Sequence, residues 1–320
     1  MIFDKYDFVV VGAGLYGCTV AYLLRNVYGK NVLVFEKNDV IGGLCRTESI
    51  EGIVCHVMGA HVFRTNSKKI YDFISKFGKV KNYYNRPIAD TGSKYVRLPF
   101  CTGTIYDVFG YDCVRDIRTT ILKDCDNGID EPKNLKEYCL KHVGRKIYEE
   151  LIEGYTEKQW GVKCSDIDVD VINELPIRMS WNNDYFDEEY QFVPVDGYSK
   201  IMEKMLDGID VVTGMEVTID DFEGYKGKIV FSGLIDRFFK SVYGDMEYRS
   251  VMFTHEIFQK NQLMNAVMNF PRRDVKYTRM IEHKYFYDVN PQDGVSVVSK
   301  EYPCAYKNDI NEPCYNISNK

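Results

Sequence analysis

The chain lacks an excess of positive charge: 41 lysines and arginines stand against 47 aspartates and glutamates, a formal net charge of −6. With no basic tail, a general grip on nucleic-acid phosphates is excluded. It also lacks long apolar runs. None reaches the roughly 18 apolar residues of a membrane span, so no membrane association is expected. The apolar stretch FVVVGAGLYGCTVAYLL is flanked by Asp4 and Asp7, where a secretion signal would carry positive charge. Ten cysteines are scattered without a Cys-x-x-Cys pair. Such spacing gives neither a disulfide framework nor a zinc cluster, and reduced thiols in the cytoplasm are expected. Five histidines form no His-Glu-x-x-His, His56 and His61 make no convincing metal pair, and no Gly-x-Ser-x-Gly elbow is present. No metal is expected.

What is present points elsewhere. With 320 residues, 45% of them hydrophobic, the chain can bury a large core, and it exceeds the length of one ordinary domain. Two or three subdomains are expected. Tyrosine (25) and phenylalanine (18) are plentiful. Aromatic faces suit sugar rings and bases, although most such residues fill cores.

The opening YDFVVVGAGLYGCTVAYLLRNVYGKNVLVFEK reads as a buried strand over 7–11, a glycine turn, an amphipathic helix to about Val27 and a second strand over 31–35. In such a βαβ unit Gly12 permits the sharp turn, Gly14 lets backbone amides approach a pyrophosphate, and Gly17 lets the helix pack close to its strand. The helix amino terminus then faces the phosphates. Glu36 ends the second strand, where a carboxylate accepts ribose hydroxyls; this favours FAD or NAD over NADP. The following NDVIGGLCRT, with Gly42 and Gly43, resembles the second glycine turn of FAD-binding proteins related to glutathione reductase and amine oxidases. On that resemblance FAD is the expected cofactor. GAHVF at 59–63 is then the segment reaching its ring system, and TGMEVTID at 213–220 resembles the strand that passes the adenine. The implied cofactor residues are Gly12, Gly14, Leu15, Gly17, Glu36, Lys37, Gly43, Leu44, Gly59, His61 and Val217.

GYTEKQWG at 154–161 packs glycine, tyrosine, charges, an amide and one of only two tryptophans into eight positions. Alone, it reads as a helix end whose indole fills a gap between layers. Together with the FAD opening, GAHVFRTN (59–66), LPIRMSWNNDYF (175–186), AVMNF (266–270) and YTRMIEHKYF (277–286), in chain order, it resembles UDP-galactopyranose mutases of the bacterial type. The similarity runs from the first strand to EPCY (312–315).

The resemblance implies interconversion of UDP-galactopyranose and UDP-galactofuranose, a precursor of furanose-containing cell-surface glycans. Reduced FAD would act through its N5 atom as nucleophile on the anomeric carbon, with UDP as leaving group. Arg178 and Arg279 are implied as the cations that hold the diphosphate and steady its growing charge. Tyr185 is implied as the ring on which uracil stacks. Tyr155 and Asn269 are implied nucleotide contacts, Trp160 lies by implication beside the sugar–diphosphate, Asn85 near the sugar, Tyr315 in the site and His61 near the flavin. By itself His61 equally suits a satisfied core histidine. Arg178, Arg279, His61 and Trp160 are the candidate catalytic residues.

The implied fold is α/β: a Rossmann-like FAD-binding domain (1–83 and 196–244), an inserted helical bundle (100–175) and an antiparallel β-sheet substrate domain (84–99, 176–195 and 245–320). Apolar residues at helical spacing in segments from about 100 to 174, and alternating aromatic and β-branched residues around 84–99, 176–195 and 245–305, agree with it. A polar loop near 163–175 is expected to close over substrate, and a homodimer is expected. Some of the family pattern differs. It continues past Lys320 through a glycine–arginine pair, a tyrosine, an aspartate and a final helix, and its paired tyrosines correspond here to Cys314, Tyr315 and Asn316. Weaker FAD retention and exposed apolar surface are the expected consequences. Two other readings stay open: a catalytically impaired UDP-sugar- and FAD-binding protein, and an FAD-dependent oxidoreductase sharing the amino-terminal half.

Overall fold

The apolar runs FVVV and VLVF form adjacent parallel strands, Phe8–Val11 and Val32–Phe35, because a strand buried on both faces needs no polar alternation. The computed structural model describes residues 3, 5–169, 178–288, 294–308 and 310–317. They fall into two units: the described residues of Met1–Asn82, Glu189–Glu247 and Asn316–Lys320, and those of Tyr83–Glu188 and Tyr248–Tyr315.

In the first unit the parallel sheet runs in the order Asp210–Val212, Val32–Phe35, Phe8–Val11, Lys228–Phe231. Lys228–Phe231 thus returns to the sheet beside the first strand, with Val11 opposite Phe231. The helix Leu15–Asn26 covers one face, packing Cys18 and Ala21 into a core with Ile201, Met202 and Met205 of the helix Tyr198–Met205. Phe3, Leu33, Phe35, Val217, Phe222 and Phe238 build a second core. TGMEVTID forms no strand. Gly214, at φ +69°, turns the chain out of the sheet, and a reciprocal Thr218–Asp221 cap starts the short helix Ile219–Phe222. Strand Tyr190–Pro194 also departs from the sequence pattern, which assigns 176–195 to the substrate sheet. It pairs instead with Phe63–Thr65 and Val80–Asn82, since Tyr190 and Phe192 find Tyr71 and Phe63 at ring distances of 4.8 and 4.9 Å.

The second unit holds a seven-stranded sheet in the order Pro313–Asn316, Tyr248–Phe258, Ser296–Ala305, Arg279–Glu282, Val267–Asn269, Ile88–Asp90, Tyr95–Arg97. Tyr248–Phe258 with Ser296–Ala305, Ser296–Ala305 with Arg279–Glu282, Arg279–Glu282 with Val267–Asn269, and Ile88–Asp90 with Tyr95–Arg97 pair antiparallel, whereas Val267–Asn269 lies parallel to Ile88–Asp90. The helices Thr102–Phe109, Leu135–His142 and Glu153–Trp160 belong to the same unit as the sheet. Ala89 and Val96 of the sheet share one core with Ile105, Leu135, Cys139 and Ile152, so bundle and sheet are a single hydrophobic body. The last helix begins with a π-helical turn, Tyr148–Ile152, a geometry found mostly as isolated turns near functional positions. No helix among the described residues is long and apolar enough to cross a membrane. The expected loop near 163–175 lies partly outside the described residues, as do 175–177 of LPIRMSW.

Candidate active site

The first unit builds a dinucleotide cradle. Gly12 turns at φ +100° and donates its N–H to Phe35 O (2.7 Å), which ties the turn to the end of the second strand. Gly14 begins the helix without any side-chain cap, so its first amides are open to an anion. Gly14 also bridges Gly42, and a Cβ on Gly43 would lie 3.1 Å from Gly14 Cα. The two glycine turns are packed backbone to backbone. Glu36 is buried and accepts N–H bonds from Ala13 (2.8 Å) and Asn38 (3.0 Å) and one from the Asn38 amide (3.1 Å). A carboxylate offers about four acceptor positions, so one is left for a ribose hydroxyl. The residues present fit a dinucleotide. Leu15 is half-buried against the core, Lys37 and Leu44 are exposed, and Val217 is buried among the aromatics of the second core.

Gly59, at φ +94°, brings two histidines together. The Gly59 carbonyl can only accept, so the 2.7 Å contact puts the His61 proton on Nδ1 and leaves Nε2 as the acceptor of the neutral ring. The His61 N–H donates to His56 Nδ1 (3.2 Å), and Tyr198 Oη donates to the His61 carbonyl (3.2 Å). Burial, then the nearby His61, pushes His56 down to about 3. Unfolded His56 takes its proton near 6.5, so acid favours the unfolded chain. This contribution to stability is complete above pH 6.5 and is lost as the pH falls towards 3. Between pH 6.5 and 5, above most carboxylate titrations, thermal melts of wild type should fall more steeply than those of His56→Gln. Parallel curves would overturn the assignment.

In the second unit GYTEKQWG lies on the helix Glu153–Trp160, and each of its characters has a place. A Cβ on Gly154 would meet Pro271 O at 2.1 Å, so only glycine lets this helix touch the 270–278 connection. Tyr155 Oη accepts from Arg279 Nη2 (3.1 Å). Glu157 and Glu153 pair with Arg273 at 2.8 and 2.9 Å. Trp160 is half-buried against the helical core, 6.4 Å from the Tyr315 ring. Gly161 ends the helix in the left-handed conformation.

Strand register does the rest. Asn269 lies opposite Arg279, and Arg279 opposite Glu301, so the three side chains share one face of the sheet in a row. Arg279 Nε is 3.5 Å from the Glu301 carboxylate, which is only 5% exposed. Burial opposes the charge on Arg279, but Glu301 and then Tyr155 more than offset it and raise its pKa above the ordinary arginine value. Tyr315 titrates higher than a free phenol, mainly through burial, with Arg279 pulling the other way. Glu301 escapes sequence reading, since an acid in an alternating strand reads as solvent-facing; only the register reveals it.

A second cluster gathers Arg178, Tyr185 and Asn85. Tyr185 N–H donates to Asn85 O (2.8 Å), and Arg86 pairs with Asp184 at 2.5 Å. Arg178 donates to Asp184 O and to the Asp187 carboxylate (2.8 Å). Tyr185 keeps 44% of its surface exposed. The strand Ile88–Asp90, which follows Asn85, pairs with the strand carrying Asn269. Among the described residues, several buried side-chain atoms make no hydrogen bond: Asn85 Oδ1, Asn269 Oδ1 and Arg279 Nε, and also Arg46 Nε and Ser75 Oγ, although Arg279 Nε keeps its ion pair with Glu301. A buried polar atom left without a hydrogen bond costs about 1–3 kcal/mol.

Comparison with known proteins adds to this geometry. The UDP-galactopyranose mutase family model matches residues 150–320, and that of NAD(P)-binding Rossmann-like domains matches residues 10–77. A probable UDP-galactopyranose mutase of Klebsiella pneumoniae is 32% identical over 98% of this chain and 82% of its own length. A dTDP-fucopyranose mutase of Escherichia coli is 32% identical over 92% of this chain and 80% of its own. A crystal structure of reduced UDP-galactopyranose mutase shares the fold with a TM-score of 0.69 at 15% identity, covering 94% of this chain and 75% of that one.

Proposed function

This chain belongs to the UDP-galactopyranose mutase family, an isomerase family with a dinucleotide-binding domain for FAD, and on that premise we propose that it interconverts UDP-galactopyranose and UDP-galactofuranose. The observation that carries the reading is the cross-strand pair Asn269 and Arg279 beside Tyr155, with Asn269 Oδ1 buried and making no hydrogen bond among the described residues. Gly12, Gly14, Gly43 and Glu36 would hold FAD, which when bound and reduced would supply a nucleophilic nitrogen for chemistry at the anomeric carbon.

The chain's own residues do the remaining work. Arg279 presents a fixed cation to the diphosphate, and because Glu301 and Tyr155 hold it charged, it steadies departing UDP without giving up a proton. Arg178 adds the second guanidinium. It exchanges the Asp187 carboxylate, which is 79% exposed, for phosphate oxygen. Tyr185 offers its exposed ring to uracil, a stack worth about 1–3 kcal/mol. Trp160 and Tyr315 wall the sugar end, Asn85 contacts the sugar, and His61 Nε2 serves as an acceptor towards the flavin. A homodimeric cytoplasmic protein is part of the proposal, on the family resemblance. The Escherichia coli relative, by its name, handles a dTDP-linked sugar, so a thymidine nucleotide is the second reading.

The test offers UDP-galactofuranose and a dTDP-furanose to the purified protein with and without dithionite. Conversion of the UDP sugar only after reduction is expected. UDP binding without conversion would make the chain an impaired binder, and reductant consumption matched to substrate oxidation would make it an oxidoreductase. Conversion of the dTDP sugar alone would favour the second reading.

A further inference from the structure

Lys158, in the same GYTEKQWG helix, has no surface role. Its ammonium donates towards four backbone carbonyls, of Phe270 (2.6 Å), Arg272 (2.8 Å), Val275 (2.9 Å) and Tyr277 (2.9 Å). An ammonium has three hydrogens, so four oxygens share three donors and the cage is saturated. All four belong to the 270–278 connection, which joins strand Val267–Asn269 to strand Arg279–Glu282. Asn269 and Arg279 are its two end posts. A connection of this length does not define its own shape, and little regular backbone pairing does so here. Phe270 N–H donates to Thr278 O, and Thr278 N–H to Glu301 O.

We propose that Lys158 is a positioning residue for nucleotide binding: by gathering four carbonyls of the connection around one cation, it holds in place the strand ends whose register sets Asn269 opposite Arg279. The inference rests on reading those two residues as nucleotide contacts. The charged groups around Lys158 come from both packed elements. On the connection are Arg272, Arg273 and Asp274, with Arg272 paired to Asp274; on its own helix are Glu153 and Glu157, both held by Arg273. The four acceptors stabilise the ammonium, while burial pulls it down to about 8, partly opposed by Asp274. Near neutral pH the clamp is charged, and it loosens as the pH rises through 8.

The experiment measures UDP affinity by calorimetry on the holoprotein across pH 7 to 9.5 for wild type, Lys158→Met and Lys158→Arg. At pH 7, Lys158→Met keeps the stem but no donors and should bind UDP at least about tenfold more weakly, with KM raised more than kcat is lowered. Wild-type affinity should fall through pH 8, and Lys158→Arg, which stays charged, should restore binding and lack that limb. Hydrogen exchange across 270–278 should quicken in Lys158→Met. Lys158→Met binding UDP less than about tenfold more weakly than wild type, or wild type and Lys158→Arg losing affinity in parallel with pH, overturns the proposal. Should wild type bind no UDP, the functional reading fails, and the exchange rates alone still decide the clamp: unchanged protection overturns it.

Discussion

Replacing Arg279 with alanine is expected to weaken UDP binding by roughly thirty-fold to several-thousand-fold, the range spanned by about 2–5 kcal/mol when one partner of a buried charged contact is removed. The loss has two sources that a single variant cannot separate. One is the missing fork to phosphate. The other is Glu301, 5% exposed and 3.5 Å from the guanidinium, which is left without that counter-charge; breaking a buried pair by removing one partner costs about 3–5 kcal/mol of stability. A double variant, Arg279→Ala with Glu301→Gln, resolves them. It should regain much of the thermal stability, because no uncompensated carboxylate remains, yet bind UDP no better than the single variant. Arg279→Lys should fall between, since it keeps charge but loses the two-pronged geometry. A folded Arg279→Ala that binds UDP within threefold of wild type would remove Arg279 from the nucleotide site and, with it, the central support for the proposed function.

How far such a residue can be read from sequence depends on how far along the chain its partners lie. Gly12, Gly14, Gly17 and Glu36 fall within 25 residues and act through one βαβ unit, so spacing alone carries their meaning, and Ala13 N–H to Glu36 is the contact that spacing foretells. Arg279 and Asn269 are legible as motif members, but their adjacency is a fact of register. Lys158 and Glu301 are harder. Lys158 meets carbonyls more than 110 positions away, and no local pattern distinguishes a caged lysine from a solvated one. Gly154 hides for the same reason, because what forbids its side chain is Pro271.

Where local propensity and tertiary packing disagree, packing prevails. Tyr190–Pro194 alternates like the substrate sheet but finds its aromatic partners in the first unit. TGMEVTID has β-branched residues enough for a strand, yet Gly214 and the Thr218 cap bend it away, and Val217 becomes core. Arg178, which the family resemblance implies as a phosphate ligand, already holds Asp187. That pairing keeps a guanidinium from lying unpaired and only 17% exposed.

Gly17→Ala is the second change expected to have a large effect, and here two terms of opposite sign meet. Alanine improves on glycine within a helix by about 0.8–1.0 kcal/mol, so on propensity alone the variant would be more stable. The new Cβ, however, would sit 1.8 Å from Gly12 O, 3.0 Å from Gly12 C and 3.4 Å from Val10 Cγ1. The obstacle is backbone, and it is pinned: Gly12 N–H donates to Phe35 O at 2.7 Å, and Val10 is fully buried. Nor can the helix withdraw, because Cys18 and Ala21, both 0% exposed, are packed in one core with Met202 and Met205. Overpacking of this kind costs about 1–3 kcal/mol or more, so the steric term outweighs propensity. The melting temperature should drop by several degrees, and the turn that aims the helix's open amides at the pyrophosphate should be displaced, so the protein should purify nearly colourless. Gly29→Ala is the matched control. It lies at φ +63° with nothing within 4 Å of its Cβ, so it carries only the left-handed strain of roughly 1–2 kcal/mol and should keep its flavin. If Gly17→Ala instead emerges yellow, with wild-type flavin content and melting temperature, the close approach of helix to glycine turn is not what holds the cofactor, and the cradle must be sought in the Gly42–Gly43 turn and Glu36 alone.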